Sequence, residues 1–214
     1  MDEKLLLLIN HDWTTPALDR VMAAASSFDA WAPVLVFIGA ALLVRGTFKL
    51  RAFIVTATLL VAVNDGVISK SLKALIDRPR PHQSHDEVRI VDLAKAKPRL
   101  LALFRPVKVK RSRSSPEDVE GRSFPSSHTM NTVAVAVAGA AFFGWRAWPL
   151  FGVAGLVAYS RVYTGSHWPS DVLTSIFLGA SASLLLLALA ELAWRKRGAL
   201  VLPRTHAAHP ALFA

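Results

Sequence analysis

Apolar residues along this chain come in long blocks and not in short alternations. Five apolar segments, at about 30–44, 52–69, 129–145, 147–160 and 172–190, are separated by polar stretches. The last is uncharged for 19 residues, roughly 28 Å as a helix, which is close to the thickness of a bilayer core. Segments 30–44 and 147–160 are short enough to suit a buried helix of a soluble protein. The ensemble of five is what favours membrane spans over a soluble bundle. The pattern predicts an all-α, polytopic membrane helical bundle of about five transmembrane helices.

The polar stretches refine this picture. At the N-terminus, "MDEKLLLLINHDW" has an apolar run preceded by Asp2 and Glu3 and interrupted by Asn10, His11 and Asp12. A cleaved secretory signal needs a positive start and a longer apolar core, so this segment reads as an interfacial helix, with a sixth crossing as the alternative. Residues 74–124, between the second and third segments, form a Pro-containing, charged insert expected outside the membrane. Within it, "LLALF" at 100–104 lies between Arg99 and Arg105, as in a segment dipping into a headgroup layer or in a small local core of the loop. "KVKRSRSS" at 108–115 reads as solvated and mobile. No internal repeat is present.

If all five segments cross, the end of the second, the start of the third, the end of the fourth and the start of the fifth share one membrane face. Every polar cluster of interest sits at one of those four ends.

Composition narrows the function classes. The chain of 214 residues reads as a single domain, 1–214. It is 53% hydrophobic yet carries 25 Lys and Arg against 15 Asp and Glu, a net charge of +10. Such a chain suits a membrane protein whose basic loops meet anionic lipids or phosphates. Nucleic acid is not the expected partner, because no soluble scaffold is evident. With no cysteine, disulfides, thiolate catalysis and Cys-based zinc sites are excluded.

Three clusters carry candidate chemistry. In "KALIDRPRP", Lys73 and Arg80 supply a point charge and a planar fork of donors, both suited to phosphate oxygens; anchoring to headgroups is the competing role. Arg78 beside them reads as a second headgroup contact or a lipid anchor. In "FPSSHTMNT", Pro125, Ser126 and Ser127 open an apolar segment with outward N–H groups and the positive end of a helix dipole, an anion site. His128 in that first turn is placed to donate a proton to a leaving oxygen. Alone, the same residues would be a capping serine beside a surface histidine. In "SRVYTGSHWPSD", Arg161 leaves one segment and His167 precedes Asp171 by four residues at the start of the next. A carboxylate near one imidazole nitrogen fixes the tautomer and leaves the other nitrogen free to attack, although His and Asp at this spacing also form purely structural pairs. Three such clusters on one face make coincidence a poor explanation. Asp65, inside the second apolar segment, needs a partner, for which Lys73 and Arg161 are candidates.

These clusters resemble the three signature motifs of the type 2 phosphatidic acid phosphatase superfamily, K-x6-R-P, P-S-G-H and S-R-x5-H-x3-D. Lys73, Arg80 and Pro81 fit the first, and "SRVYTGSHWPSD" fits the third at every defined position. The second departs once, with Ser127 where the pattern has Gly. The resemblance implies an integral-membrane, metal-independent lipid phosphatase without a cofactor, acting on an anionic phospholipid or lipid pyrophosphate. His167 would attack phosphorus to give a phosphohistidine, oriented by Asp171. His128 would protonate the leaving group and later help activate water. Lys73, Arg80, Arg161 and Ser126, with the backbone N–H groups of Ser127 and His128, would hold the phosphoryl oxygens.

Candidate substrates are lipid A phosphates, undecaprenyl pyrophosphate or monophosphate, phosphatidylglycerophosphate and phosphatidic acid; the basic insert favours a multiply anionic headgroup. The family's topology puts the site on the periplasmic or exterior side of a bacterial inner membrane. Arg45, Lys49, Arg51, Arg146, Arg195, Lys196 and Arg197 on the opposite face agree with that orientation, whereas the basic insert opposes it. A vanadate-dependent haloperoxidase would share this type of site but is a larger soluble protein. A non-catalytic anionic-lipid-binding protein would be expected to have lost a histidine or the aspartate, and neither is lost.

Overall fold

The computed structural model describes residues 1–113 and 122–213. Ten α-helices are present among them. α1 (Asp2–Leu7) runs into a π-helical turn through Asp12 and is followed by α2 (Pro16–Ser26), α3 (Phe28–Arg45) and α4 (Phe48–Val63). α5 (Lys70–Ile76) continues α4 through a π-helical turn, and the short α6 (Pro81–Ser84) follows. Beyond the insert come α7 (Ser127–Phe143), α8 (Trp148–Tyr163), α9 (Pro169–Val201) and α10 (Pro203–Ala208).

Four stretches are long and apolar enough to cross a bilayer: Phe28–Arg45, Phe48–Ile76, Ser127–Tyr163 and Pro169–Val201. Their outward faces carry exposed Phe37, Leu59, Phe177 and Leu185, the surface expected of helices solvated by lipid. α3 buries only Ala30. The protein is a polytopic membrane bundle. The sequence separates 129–145 from 147–160, and the stretch Ser127–Tyr163 is correspondingly broken: α7 stops at Gly144, whose φ is +61°, and a 3-10 turn leads into α8. The two helices then pack through Val133, Ala136, Ala154 and Leu150.

Local chemistry sets the helix ends that matter for function. α5 stops at Asp77, in left-handed conformation, because Pro79 and Pro81 follow and cannot supply N–H groups to continue it. α9 starts with Pro169 at its first position, and the carboxylate of Asp171 accepts the backbone N–H of Trp168 at 3.1 Å. Small residues bring α7 and α9 together: a Cβ on Gly179 would lie 2.9 Å from the Met130 carbonyl oxygen.

The insert is more ordered than the sequence suggests. Strand β1 (Arg89–Leu93) pairs antiparallel with β2 (Val107–Arg111), in register from Arg89 opposite Arg111 to Leu93 opposite Val107. The membrane bundle itself is all-α, as expected, and this two-stranded hairpin is confined to the insert. The expectation of a mobile "KVKRSRSS" is corrected for residues 108–111, whose backbone is fixed in a strand; Ser114 and Ser115 lie outside the described residues. Arg99–Phe104 forms a 3-10 helix with Ala102 buried and Phe104 exposed, so it both joins a local core and presents an apolar surface.

Val88, Val91, Leu93 and Ala102 from the insert share one buried cluster with Leu6, Ile9, Met22, Val162, Tyr163 and Trp168. Polar bonds reinforce it: Arg89 makes a two-pronged ion pair with Asp19, which also accepts the Tyr163 hydroxyl, and Asn10 donates to the Tyr163 carbonyl. A large buried cluster thus lies at the end of the bundle where the polar motifs emerge. The N-terminal segment belongs to this core through Leu6 and Ile9 while leaving Leu5 and Leu7 exposed.

Candidate active site

Five helix ends converge beneath the insert. Lys73 lies in α5, Arg80 immediately precedes α6, Ser126 caps α7 with Ser127 and His128 in its first turn, Arg161 ends α8, and His167 and Asp171 flank the start of α9. Lys73, Arg80 and Arg161 all lie within electrostatic range of both His128 and His167. The eight residues expected to act in catalysis or phosphate binding therefore sit at one end of the bundle.

Their contacts differ in kind. The Lys73 ammonium donates to the Ser127 hydroxyl at 3.0 Å, and Ser127 in turn lies 2.6 Å from the Ser69 hydroxyl. Ser126 is fully buried; its N–H donates to Ser175 Oγ, its hydroxyl accepts from Thr129, and Ser175 donates to the Asp171 carbonyl. Ser126 thus joins the starts of α7 and α9, whereas Ser127 faces the cations. The Arg161 guanidinium donates to the carbonyl and hydroxyl of Ser26, while its Nε is buried with no protein partner, as is Nε of Arg80. No carboxylate among the described residues forms an ion pair with Lys73, Arg80 or Arg161. Desolvated guanidinium groups that lack an ion-paired carboxylate favour an oxyanion strongly.

His167 is 2% exposed, and its backbone N–H is held by the Arg161 carbonyl at 3.1 Å. Nδ1 faces Asp171 Oδ2 at 4.0 Å, beyond hydrogen-bond reach, which turns Nε2, across the ring, away from the carboxylate. Burial holds the imidazole well below its ordinary 6.5, and the Arg161 and Arg80 guanidiniums push the same way. A neutral imidazole retains the lone pair a nucleophile needs. His82, beside Arg80, donates from Nδ1 to the Gly165 carbonyl at 2.9 Å and ties α6 to the loop carrying His167. That loop turns at Gly165, where φ is +70° and a Cβ would lie 2.7 Å from the Arg89 carbonyl oxygen.

Two contributors, Asp2 and Ser123, were not singled out as site partners from the sequence. Asp171 is fully buried, but its main partners are the Arg78 guanidinium at 2.5 Å, the Ser123 hydroxyl and the Trp168 N–H. Arg78, expected to meet a headgroup or anchor to lipid, is instead engaged by two carboxylates: its second nitrogen bonds Asp2 at 2.7 Å. The "DRPRP" stretch shows an arginine there without showing which carboxylate it meets, and nothing local marks Asp2 or Ser123. Asp65 lies within electrostatic range of Lys73 and His128 but makes no ion pair among the described residues.

The chain is 28% identical over 182 residues to a lipid A 4'-phosphatase of Bacteroides thetaiotaomicron, covering 84% of this chain and 72% of that protein. Its fold is similar to the crystal structure of Aquifex aeolicus LpxE, with TM-score 0.61, 23% identity and coverage of 87% and 94% of the two chains. It is also similar to a PAP2-type phosphatidylglycerolphosphate phosphatase of Bacillus subtilis, with TM-score 0.56, 23% identity and coverage of 89% and 84%. The profile of the PAP2 superfamily matches residues 49–195, a span that contains every motif residue from Lys73 to Asp171. On that match and on its membrane-helical fold, the chain belongs to the PAP2 superfamily.

Proposed function

We propose that this protein is a lipid phosphate phosphatase that cleaves a phosphomonoester from a multiply anionic lipid headgroup, by way of a phosphohistidine on His167. The observation that carries this reading is the set of three cations, Lys73, Arg80 and Arg161, two of them with buried, unpartnered Nε atoms, gathered around two histidines and not ion-paired to any carboxylate among the described residues. Phosphoryl transfer requires little covalent chemistry of a protein beyond positioning and charge stabilisation.

In this mechanism, Nε2 of His167 forms a bond to phosphorus as the bond to the lipid oxygen breaks. His128 gives that oxygen its proton. Water then attacks the phosphohistidine, His128 takes back a proton, and inorganic phosphate leaves. Ser127 keeps the Lys73 ammonium aimed at the phosphoryl oxygens, while Ser126 acts indirectly by joining α7 to α9. The similarity to a lipid A phosphatase and the basic insert both favour a lipid A phosphate over phosphatidic acid. The arrangement is read as one domain with five crossings, α7 and α8 counting separately, and with its site on the periplasmic or exterior side.

The test is phosphate release from a panel of lipid A, undecaprenyl pyrophosphate, phosphatidylglycerophosphate and phosphatidic acid in detergent with EDTA present. Wild type is expected to release phosphate, fastest from lipid A, and His167→Ala to lose about 10³-fold or more. No release from any member of the panel, or full activity in the variant, would overturn the reading.

A further inference from the structure

The carboxylate that faces His167 is shared, and its other claimant comes from outside the three motifs. Arg78 Nη1 donates to Asp171 Oδ1 at 2.5 Å and to Ser170 Oγ at 2.8 Å, and Nη2 donates to Asp2 Oδ2 at 2.7 Å. Asp2 closes the ring: its Oδ1 accepts the Ser170 N–H at 2.9 Å, and its Oδ2 accepts the Ser170 hydroxyl at 2.5 Å. The guanidinium also lies over the Trp168 ring, 5.2 Å from its centre. Four residues from three separate parts of the chain thus fix the first turn of α9, one residue away from the buried Asp171.

We infer that Arg78, shared between Asp171 and Asp2, is a positioning residue that draws the Asp171 charge away from His167 and so keeps the nucleophile unprotonated. This inference rests on His167 being the nucleophile.

The physical basis is a division of one negative charge. With Oδ1 paired to Arg78 at 2.5 Å and Oδ2 accepting Ser123 and Trp168, little of the carboxylate is left for an imidazole nitrogen 4.0 Å away. The other charges facing His167 are Arg161 from α8, Arg80 ahead of α6 and Lys73 from α5, all of which disfavour an imidazolium. Removing the Arg78 cation would leave Asp171 as an unneutralised neighbour and stabilise the protonated ring. Asp2 has the opposite sign: without it, Arg78 has one fewer carboxylate to serve and remains on Asp171.

The experiment is a titration of His167 by 15N NMR of histidine-labelled protein in detergent micelles, with the signal assigned through His167→Gln. Arg78→Gln is expected to move the His167 titration to higher pH by about one unit. Arg78→Lys, which keeps the charge, should move it by less than half as much, and Asp2→Asn should leave it in place or move it down. An unmoved titration in Arg78→Gln, or an upward shift in Asp2→Asn equal to that of Arg78→Gln, overturns the inference. If Arg78→Gln fails to fold, Arg78→Lys and Asp2→Asn still decide it by the sign of their difference. Because the readout needs no turnover, a protein inactive on every lipid would sink the phosphatase reading while leaving this result interpretable.

Discussion

Ser127 occupies the position where the family motif has glycine, and its hydroxyl is used: it receives the Lys73 ammonium at 3.0 Å and touches Ser69. Restoring the motif with Ser127→Gly removes one charge-assisted hydrogen bond but leaves the ammonium in place. We expect kcat/KM on the preferred lipid phosphate to fall less than about 10-fold, whereas Lys73→Ala, which removes the charge itself, should cost about 100-fold or more. Equal losses in initial-rate measurements would show that the serine, and not the cation, holds the phosphoryl group. At this scale the sequence was informative wherever the motifs set a residue type at a fixed spacing. Lys73, Arg80, Arg161, His128 and His167 could each be named from spacing and helix position. Arg78 could be seen but not interpreted, since its partners Asp2 and Asp171 lie 76 and 93 positions away. Asp65 is a similar case: its need for a partner follows from its apolar surroundings, but the partner depends on how the helices pack.

Helices were easier to read than what separates them. The apolar blocks mark α3, α4, α7, α8 and α9 because lipid-facing helices need no alternation between apolar and polar residues. The strand pair in the insert was hidden by its charge. "VKVKR" does alternate in strand fashion, but only Val107 of β2 is even half-buried, and the burial that steadies the hairpin comes from Val91 and Leu93 on its partner. Packing between α7 and α9 gives a sharper test. Gly179 has Met130 backbone atoms at 2.9 and 3.0 Å from where its Cβ would stand, while Gly39 on α3 has nothing within 4 Å. Gly179→Ala should overpack the contact by about 1–3 kcal/mol and lower the thermal midpoint in detergent by about 5 °C. Gly39→Ala should not lower it. A Gly179→Ala protein as stable as wild type would mean that the helices separate without cost.

For the whole molecule, orientation is the property with the most conflicting signals, since both faces are basic. The absence of cysteine makes the question directly measurable, because any introduced thiol is the only one. Lys110→Cys in the exposed strand of the insert should react with a membrane-impermeant maleimide on intact spheroplasts, and Lys196→Cys near the far end of α9 only after lysis. The reverse pattern would place the site toward the cytoplasm. The insert, the N-terminal segment and α8 share one core over the motif end of the bundle, so the chain closes on itself across a long separation. The bonds between Asp2 and Ser170 span 168 positions. Since synthesis runs from the N- to the C-terminus, Lys73, Arg80 and Arg161 are all made before His167, and His167 before Asp171. A growing chain would thus hold the Arg78 partner of Asp2 long before it holds Ser170, and the ring they form could close only when the last long helix begins to emerge.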